Sequence, residues 1–510
     1  MSSTQAPATR REVLFVLPGL ILAMLLAMLD QLIVGTAMPT IVGELGGVEH
    51  LSWVVTAYVL TSTVSTPLYG KLGDLYGRKR LFIFAIIVFL AGSALSGIAQ
   101  SMIQLIGFRA LQGLGAGGLM VGVMAIIGDL VSPRERGKYQ GYFAATMAAA
   151  TIAGPLLGGF LTDHLSWRWV FYINIPLGIL ALFVIAARLH LPRHTIKHQI
   201  DYLGAALLTV AATSIVLVTT WGGSQYEWGS FQIIGLAILG VVAAVAFVFQ
   251  ERRAVEPIVP LHVFKSRNFT VSTLMGFLVG VAMFGAVTFL PLYQQTVQGA
   301  SATNSGLLLL PLMGGSMVMS LVVGQIITRT GHYRSFPIIG SAAMAVGIGL
   351  LSMLDVGTGK LASAIFMVVL GIGMGLLMQV VMLLAQNSVE MKDMGVASST
   401  SMFARSIGGS IGVSVFGAIF ASRLTDALPS GASVGGGTNI DPAMLSQVPP
   451  EVKTSILEAI VHATQGVFLW ALPFAVLAFV LSWFIKNEPL RGAPSADEAP
   501  PRDLESVSSV

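Results

Sequence analysis

Three charged side chains interrupt the long apolar stretches of this 510-residue chain: Asp30, Arg109 and Arg405. A charge is costly in an apolar surrounding, so a carboxyl such as Asp30 is expected to bind and release a proton reversibly. The apolar neighbours of Asp30 on its own helix offer no countercharge. Asp30 and Arg109 fall at similar depth in their stretches, so they form a candidate proton-coupling pair. A purely structural ion pair is the alternative, although buried pairs seldom stabilise a fold on balance.

Two glycine-containing segments accompany these charges. GKLGDLYGRKR, Gly70–Arg80, is a basic turn between apolar stretches, and GQIITRTGHYR, Gly324–Arg334, echoes it further along the chain. AGPLLGGF begins at Ala153; its Gly154 and Gly158 form a small-xxx-small face for close helix packing, while its proline removes a backbone donor. This segment therefore predicts either a packing face or a hinge.

The elements that carry these residues are predicted to be membrane helices. The chain is 55% hydrophobic and 10% charged, which is too apolar for a water-soluble protein. A bilayer core takes roughly 20 apolar residues per helix, and backbone groups must be satisfied within that helix. We therefore predict an all-α polytopic membrane protein with fourteen transmembrane spans, near 13–36, 51–70, 81–99, 104–129, 139–161, 168–188, 202–221, 231–250, 269–292, 304–327, 335–354, 361–384, 398–421 and 465–486.

The distribution of lysine and arginine tests this count, because these residues are retained on the cytoplasmic side. Most of the 28 fall in segments on one side, and those predicted outside are Arg168, Lys360, Arg423 and Lys453. The bias places both termini in the cytoplasm. It also means that the net charge of +4 reflects topology, since no basic stripe for nucleic acid is formed.

The echo of the basic turn indicates an internal repeat, which is common in secondary transporters. The copies agree in order if two pseudo-symmetric six-helix bundles flank a two-helix insert, a 6 + 2 + 6 arrangement. The predicted organisation is a cytoplasmic tail at 1–12, an N-terminal bundle at 13–190, the insert with its linkers at 191–268, a C-terminal bundle at 269–487 and a disordered tail at 488–510. The C-terminal bundle includes an external loop, 422–464, in which a short surface helix is expected.

Enzymatic chemistry is not supported by the motifs present. The chain lacks HExxH, GxxxxGK[ST] and GxSxG, so a metalloprotease, an ATP-driven pump and a serine hydrolase are all disfavoured. There is no cysteine for disulfides or thiolate metal sites, and His190, His194 and His198 lie in a basic turn interrupted by Pro192. We predict no metal and no cofactor, and energy supplied by a proton gradient.

Several motifs together resemble one family, the major facilitator superfamily, and within it the fourteen-helix drug/proton antiporters of the QacA/EmrB-like branch. They occur in the family's order and cover nearly the whole chain. The motifs are LDQLIVGTAMP from Leu29, the Gly70–Arg80 turn, FRALQGLGAGG from Phe108, AGPLLGGF from Ala153 and WRWVFYINIPLG from Trp167.

The resemblance implies roles for particular residues. In the signature turn, which retains Gly70, Gly77 and Lys79, Asp74 would contact the start of span 13 and Arg78 would pair with Asp129, forming a cytoplasmic latch. Arg405 is a second candidate partner for Asp74. The helix 4 motif implies that Arg109 assists proton transfer. The helix 5 motif, tied to exporters in this family, matches at Gly154, Pro155, Gly158 and Gly159.

The resemblance also implies a function. It predicts proton-coupled export of lipophilic, cationic or neutral drugs across the bacterial inner membrane, with substrates, protons and the bilayer as partners and a monomer as the working unit. A dedicated exporter of a metabolite, amino acid or lipid is the nearest alternative. A receptor or scaffold without transport is a third interpretation, against which the embedded charges argue.

Overall fold

The computed structural model describes residues 10–45, 51–131, 133–189, 201–223, 225–299, 308–427 and 450–490, and these are almost entirely helical. The helices are α1 Arg10–Leu45, α2 Leu51–Tyr76, α3 Arg78–Gly97, α4 Met102–Leu130, α5 Pro133–His164, α6 Trp169–Tyr172, α7 Asn174–Arg188, α8 Tyr202–Trp221, α9 Phe231–Glu251, α10 Arg267–Thr296, α11 Leu310–Thr330, α12 Ser335–Leu351, α13 Lys360–Asn387, α14 Met394–Ala427 and α15 Pro450–Ser482. The predicted all-α class is confirmed.

Twelve helices among the described residues are long and apolar enough to cross a membrane, where fourteen were predicted. The two predicted spans that fall short are both helical. The helix α12 has only 17 residues. The helix α2 is long enough but carries a run of threonine and serine, Thr61–Thr66, that lowers its apolar character.

The helices form two halves, each with its own apolar core. Leu20, Phe89 and Ile126 lie in the core shared by the helices before the insert, and Leu312, Leu370 and Phe416 lie in the core formed by α10–α15. Along the seam between the halves, α5 packs against α11 and α2 packs against α14. The basic turn at Gly77, the connection from α4 to α5 and the start of α14 meet at one end, here called the basic end.

The insert, α8 and α9, packs as a pair and lies against both halves through α8. Trp221 at the end of α8 packs edge-on against Trp53 of α2, with ring centroids 5.1 Å apart. The Ser414 hydroxyl of α14 donates to the backbone carbonyl of Thr219. The insert therefore covers the α2–α14 side of the seam.

The structure differs from the sequence prediction at two places. Residues 450–464, expected in an external loop with a surface helix, form the beginning of α15, which is continuous to Ser482. The sixth predicted span is interrupted at Ile173, so Asn174 begins a new helix. The first residues of that loop, 422–427, continue α14. Residues 1–9, 190–200, 428–449 and 491–510, which include most of the two predicted tails and the middle of that loop, lie outside the described residues.

Candidate functional site

Asp30 lies in α1 with no exposed surface, and three side chains donate hydrogen bonds to its carboxylate. Arg109 Nη1 of α4 lies 2.5 Å from Oδ2. Gln112 Nε2, also of α4, and Asn174 Nδ2 of α7 each lie 2.8 Å from Oδ1. The structure thus brings together Asp30 and Arg109, the pair expected from sequence, and adds two amides to them.

The polar cluster continues away from Asp30 inside the first half. Ser93 of α3 accepts a hydrogen bond from Asn174 Nδ2 at 3.0 Å and donates one to the Phe171 carbonyl at 2.8 Å. The ring of Tyr58 lies beneath the Arg109 guanidinium, with Cζ 4.1 Å from the ring centroid, which is a cation–π distance. One carboxylate therefore connects α1, α4 and α7, with α3 behind them.

The hydrogen bonds of Asp30 are those of an ionised carboxylate. An ionised carboxylate only accepts hydrogen bonds, whereas a protonated one carries a donor on one oxygen. A proton on Asp30 would take one of the acceptor positions of the carboxyl group and add a donor beside Arg109, Gln112 and Asn174. It would also remove the charge that attracts Arg109. The Asp30 carboxylate is thus the point at which α1 contacts polar side chains of α4 and α7.

Sequence reasoning missed the two amides. Gln112 follows Arg109 by three residues and lies on the same helical face, so its participation could have been read from the motif. Asn174 lies 144 residues from Asp30 in the chain. It begins α7 after the break at Ile173, and only the packing of α7 on α1 brings it to the carboxylate.

The helix 5 motif packs α5 against the part of α1 that follows Asp30. A Cβ on Gly158 would lie 2.7 Å from the Ile33 carbonyl oxygen, and one on Gly154 would lie 2.7 Å from Leu32 Cβ. A Cβ on Gly159 would meet nothing within 4 Å. Pro155 lies within α5, and its side chain is outside the described residues. Two of the four motif residues therefore permit close approach to the Asp30 helix.

At the basic end, Asp74 of α2 binds the start of α14 in the other half. Its carboxylate accepts hydrogen bonds from the backbone N–H groups of Gly395 at 3.2 Å and Val396 at 3.0 Å. An anion is favoured at a helix N-terminus, where N–H groups lack partners in the helix. A Cβ on Gly70 would lie 2.8 Å from the Gly395 carbonyl oxygen, so this glycine permits the same approach.

The other signature residues hold the turn within the first half. Arg78 Nη2 lies 2.8 Å from Asp74 Oδ1, and the same guanidinium forms an ion pair with Asp129 at the end of α4. Lys79 donates to the Ala186 carbonyl near the end of α7 at 2.8 Å, where a cation is favoured. Gly77 between α2 and α3 has φ of 95°, which glycine adopts without strain.

A further contact between the halves at the basic end was not predicted. The buried Arg136 of α5 donates to the Gly128 carbonyl at 2.6 Å and to Gln386 Oε1 of α13 at 3.3 Å. Gln386 Nε2 in turn lies 3.0 Å from the hydroxyl of Ser398 in α14. The sequence showed Arg136 only as one of several basic loop residues, because its burial depends on the docking of the second half.

Arg405 lies elsewhere. The hydrogen-bond and ion-pair partners given above for Asp74 do not include it, and it lies in the interior of α14, more than two helical turns beyond Val396. The structure therefore does not bring Arg405 to Asp74, the partner considered from the sequence. Among the described residues, no group of three or more histidine, cysteine or acidic residues is placed to hold a metal ion.

Comparison with characterised and uncharacterised proteins gives relatives along nearly the whole chain. A multidrug transporter protein of Bacillus subtilis, MdtP, is 38% identical over 530 residues, which cover 97% of each chain. Multidrug resistance protein 3 of the same organism is 39% identical, covering 92% of this chain and 94% of that protein. An uncharacterised MFS-type transporter of Mycobacterium tuberculosis H37Rv is 43% identical, covering 94% of this chain and 70% of that protein.

Solved structures show the same fold at low identity. The human organic anion transporter MFSD10 superposes with a TM-score of 0.61 at 14% identity, covering 94% of this chain and all of that one. The proton:xylose symporter XylE gives 0.60 at 13% identity, covering 93% and 95%. The Major Facilitator Superfamily model matches residues 20–413, and with relatives of this similarity the chain belongs to that superfamily.

Proposed function

We propose that this transporter exports lipophilic compounds in exchange for protons, by alternating access of a seam between its two halves. Membership of the superfamily and relatives named as multidrug transporters support transport as the activity. The observation that carries proton coupling is the enclosed carboxylate of Asp30, held by Arg109, Gln112 and Asn174.

In the proposed cycle, Asp30 binds a proton from the side of higher proton concentration. Neutralising the carboxylate loosens its hold on α4 and α7, which lowers the cost of rearranging the first half. The latch of Asp74 on α14 holds the halves together at the basic end in the state described here. Release of that latch opens the seam to the compartment from which the compound is taken.

The proposal includes a topology. All fourteen predicted spans cross the membrane. They include α2, whose contact with α4 tolerates serine and threonine, and the short α12, which packs against α13 and α15. The basic end and both termini face the cytoplasm of a bacterium, in its inner membrane. The protein then belongs to the fourteen-helix drug/proton antiporters, acts as a monomer without an enzymatic step, and needs no cofactor besides the proton gradient.

Everted membrane vesicles, with a panel of fluorescent dyes and antibiotics added to the outer medium, test the function. The wild-type protein is expected to drive dye transport on energisation, and added substrate is expected to dissipate part of the imposed pH gradient. Asp30→Asn keeps the side-chain shape but cannot exchange a proton, so both signals should fall to the level of empty vesicles. Full gradient-driven activity of Asp30→Asn would exclude the proposed coupling.

Glu44→Gln provides the matched control on the same helix. Hydrogen bonds from Arg168 and Trp167 hold the pKa of Glu44 below its usual range, and the side chain is half exposed near the end of α1. Glu44 therefore stays ionised at working pH and takes no part in the proposed proton exchange. Its replacement should leave dye transport and proton flux unchanged.

A further inference from the structure

Arg405 is a cation for which the described part of the chain supplies no hydrogen-bond or ion-pair partner. The other membrane-embedded arginine, Arg109, is paired with Asp30. Leaving a charge unpaired inside a protein costs free energy. A residue that serves only the fold would be expected to have a partner, so the absence of one directs attention to groups that enter the site.

The side chain of Arg405 lines a small pocket between α10, α13 and α14. The pocket is otherwise apolar except for Ser401; its remaining lining residues are Gly276, Val279, Leu377, Met378, Val381 and Met382. Its free volume of about 10 Å³ is that of a single water molecule in this closed state. Arg405 is partly exposed as a residue and contributes to the lining of this pocket.

The backbone at Arg405 is held by close packing beside the seam. A Cβ on Gly280 would collide with the Arg405 carbonyl oxygen, so α10 packs directly on the backbone at this residue. The next residue, Ser406, lies 3.2 Å from the Thr63 hydroxyl of α2, which places Arg405 beside the seam. Arg405 lies seven residues into the predicted span 398–421, which at a rise of 1.5 Å per residue is about 10 Å from the start of that span.

We propose that Arg405 is an anion-recognition residue of the transport pathway, which binds a carboxylate or similar oxyanion on an otherwise lipophilic substrate. The inference rests on the proposed export function and narrows its substrate class. The guanidinium offers a planar pair of N–H donors that match a carboxylate, and the methionine and aliphatic walls would contact the apolar body of the substrate once the pocket widens during the transport cycle. Asp30, on which a preference for cations would depend, is enclosed and already paired.

Equilibrium binding to the purified full-length protein in lipid nanodiscs, without a pH gradient, tests this assignment. Three probes of one shape are compared: naphthalene-2-carboxylate, its neutral carboxamide and naphthalen-2-ylmethylammonium. The wild-type protein is expected to bind the carboxylate most tightly. Arg405→Gln should weaken carboxylate binding about tenfold or more and leave carboxamide binding within about twofold, since hydrogen bonds to charged groups are the stronger ones.

Two further variants separate recognition from folding. Arg405→Lys keeps the charge but loses the paired donors, so an intermediate loss for the carboxylate is expected. Arg423→Gln makes the same change of charge near the end of the same helix, away from the pocket, and should alter none of the three affinities. Equal losses for all three probes in Arg405→Gln, or no loss for any, would overturn the assignment.

Thermal unfolding gives an independent measurement. Removing an unpaired embedded charge should leave Arg405→Gln as stable as the wild type or more stable. A clearly lower melting temperature would mean that Arg405 has a stabilising partner, and would contradict the proposal. Because no proton gradient is present, these results are separate from the fate of Asp30→Asn in vesicles.

Discussion

At the scale of single residues, the proposed coupling depends on how one carboxylate is accommodated in an apolar bundle. Asp30 is tolerated because a guanidinium and two amides replace the water that it has lost. The two amides are neutral, so they add hydrogen bonds to the ion pair with Arg109 without adding a second countercharge. Asn174 links α7 to the carboxylate, whereas Arg109 and Gln112 both come from α4.

We predict that Asn174→Leu lowers proton-driven transport about tenfold, since a hydrogen bond to a charged group contributes roughly 1.5–3 kcal/mol. The initial rate of dye transport per reconstituted protein measures this. Asn268→Leu is the control. Asn268, at the start of α10 in the C-terminal half, is as buried as Asn174 but binds the backbone of Lys486 at the end of that same half. Its loss should affect stability and leave the rate per folded molecule unchanged, and equal rate losses in both variants would contradict the role of Asn174.

At the scale of elements, close packing of α5 on α1 determines the surroundings of Asp30. The contact uses Gly154 and Gly158, which approach Leu32 and Ile33 directly after the carboxylate. Any side chain added there must move α1 and α5 apart. The next residue, Gly159, has open space where its Cβ would lie, so alanine substitutions at Gly158 and Gly159 can be compared directly.

Gly158→Ala is expected to destabilise the protein by about 1–3 kcal/mol, because its methyl group would overlap the backbone oxygen of Ile33, which cannot turn away. Gly159→Ala should be neutral or slightly stabilising. It adds a methyl group in open space and lowers the conformational entropy of the unfolded chain. Thermal unfolding in detergent compares them. Similar melting temperatures for the two variants would show that this face does not limit the packing of α1.

At the scale of the whole molecule, the halves are joined at the basic end by several small contacts. Asp74 binds the first turn of α14, Arg136 reaches Gln386, and Gly70 lies against Gly395. Each contact is modest in energy, so the closed state can be released when one of them is weakened. The insert adds a contact on the α2–α14 side, through Trp221.

We predict that Gly70→Ala opens the basic end, because its methyl group would press on the Gly395 carbonyl. The chain has no cysteine, so Thr400→Cys, at a site that is 7% exposed, gives a clean reporter. Labelling of this cysteine by a maleimide from the basic end should accelerate about tenfold in Gly70→Ala. Gly73→Ala, whose methyl group meets Arg78 at an ordinary 3.6 Å, should leave the rate unchanged; equal acceleration would refute the argument.

The sequence by itself determined the helical membrane class, since apolar stretches of bilayer length have few other stable solutions. It also identified Asp30 and Arg109, because charges in apolar stretches are visible in one dimension, whereas Asp74, Arg78 and Asp129 were identified through the resemblance of the basic turn to the family's signature. The approximate place of each helix followed for the same reason. The short α12 and the α2 helix with its polar run are both helices in the structure, although neither meets the length and hydropathy expected of a membrane span.

Only the tertiary structure decided which side chains complete these sites. Asn174 and Arg136 become functional candidates through helices that dock from distant parts of the chain, and a single sequence carries no record of that docking. The structure likewise separated Arg405 from Asp74 and left its guanidinium beside an apolar pocket. Residue type and depth follow from local sequence, whereas the partner of a buried charge is a property of the packed bundle.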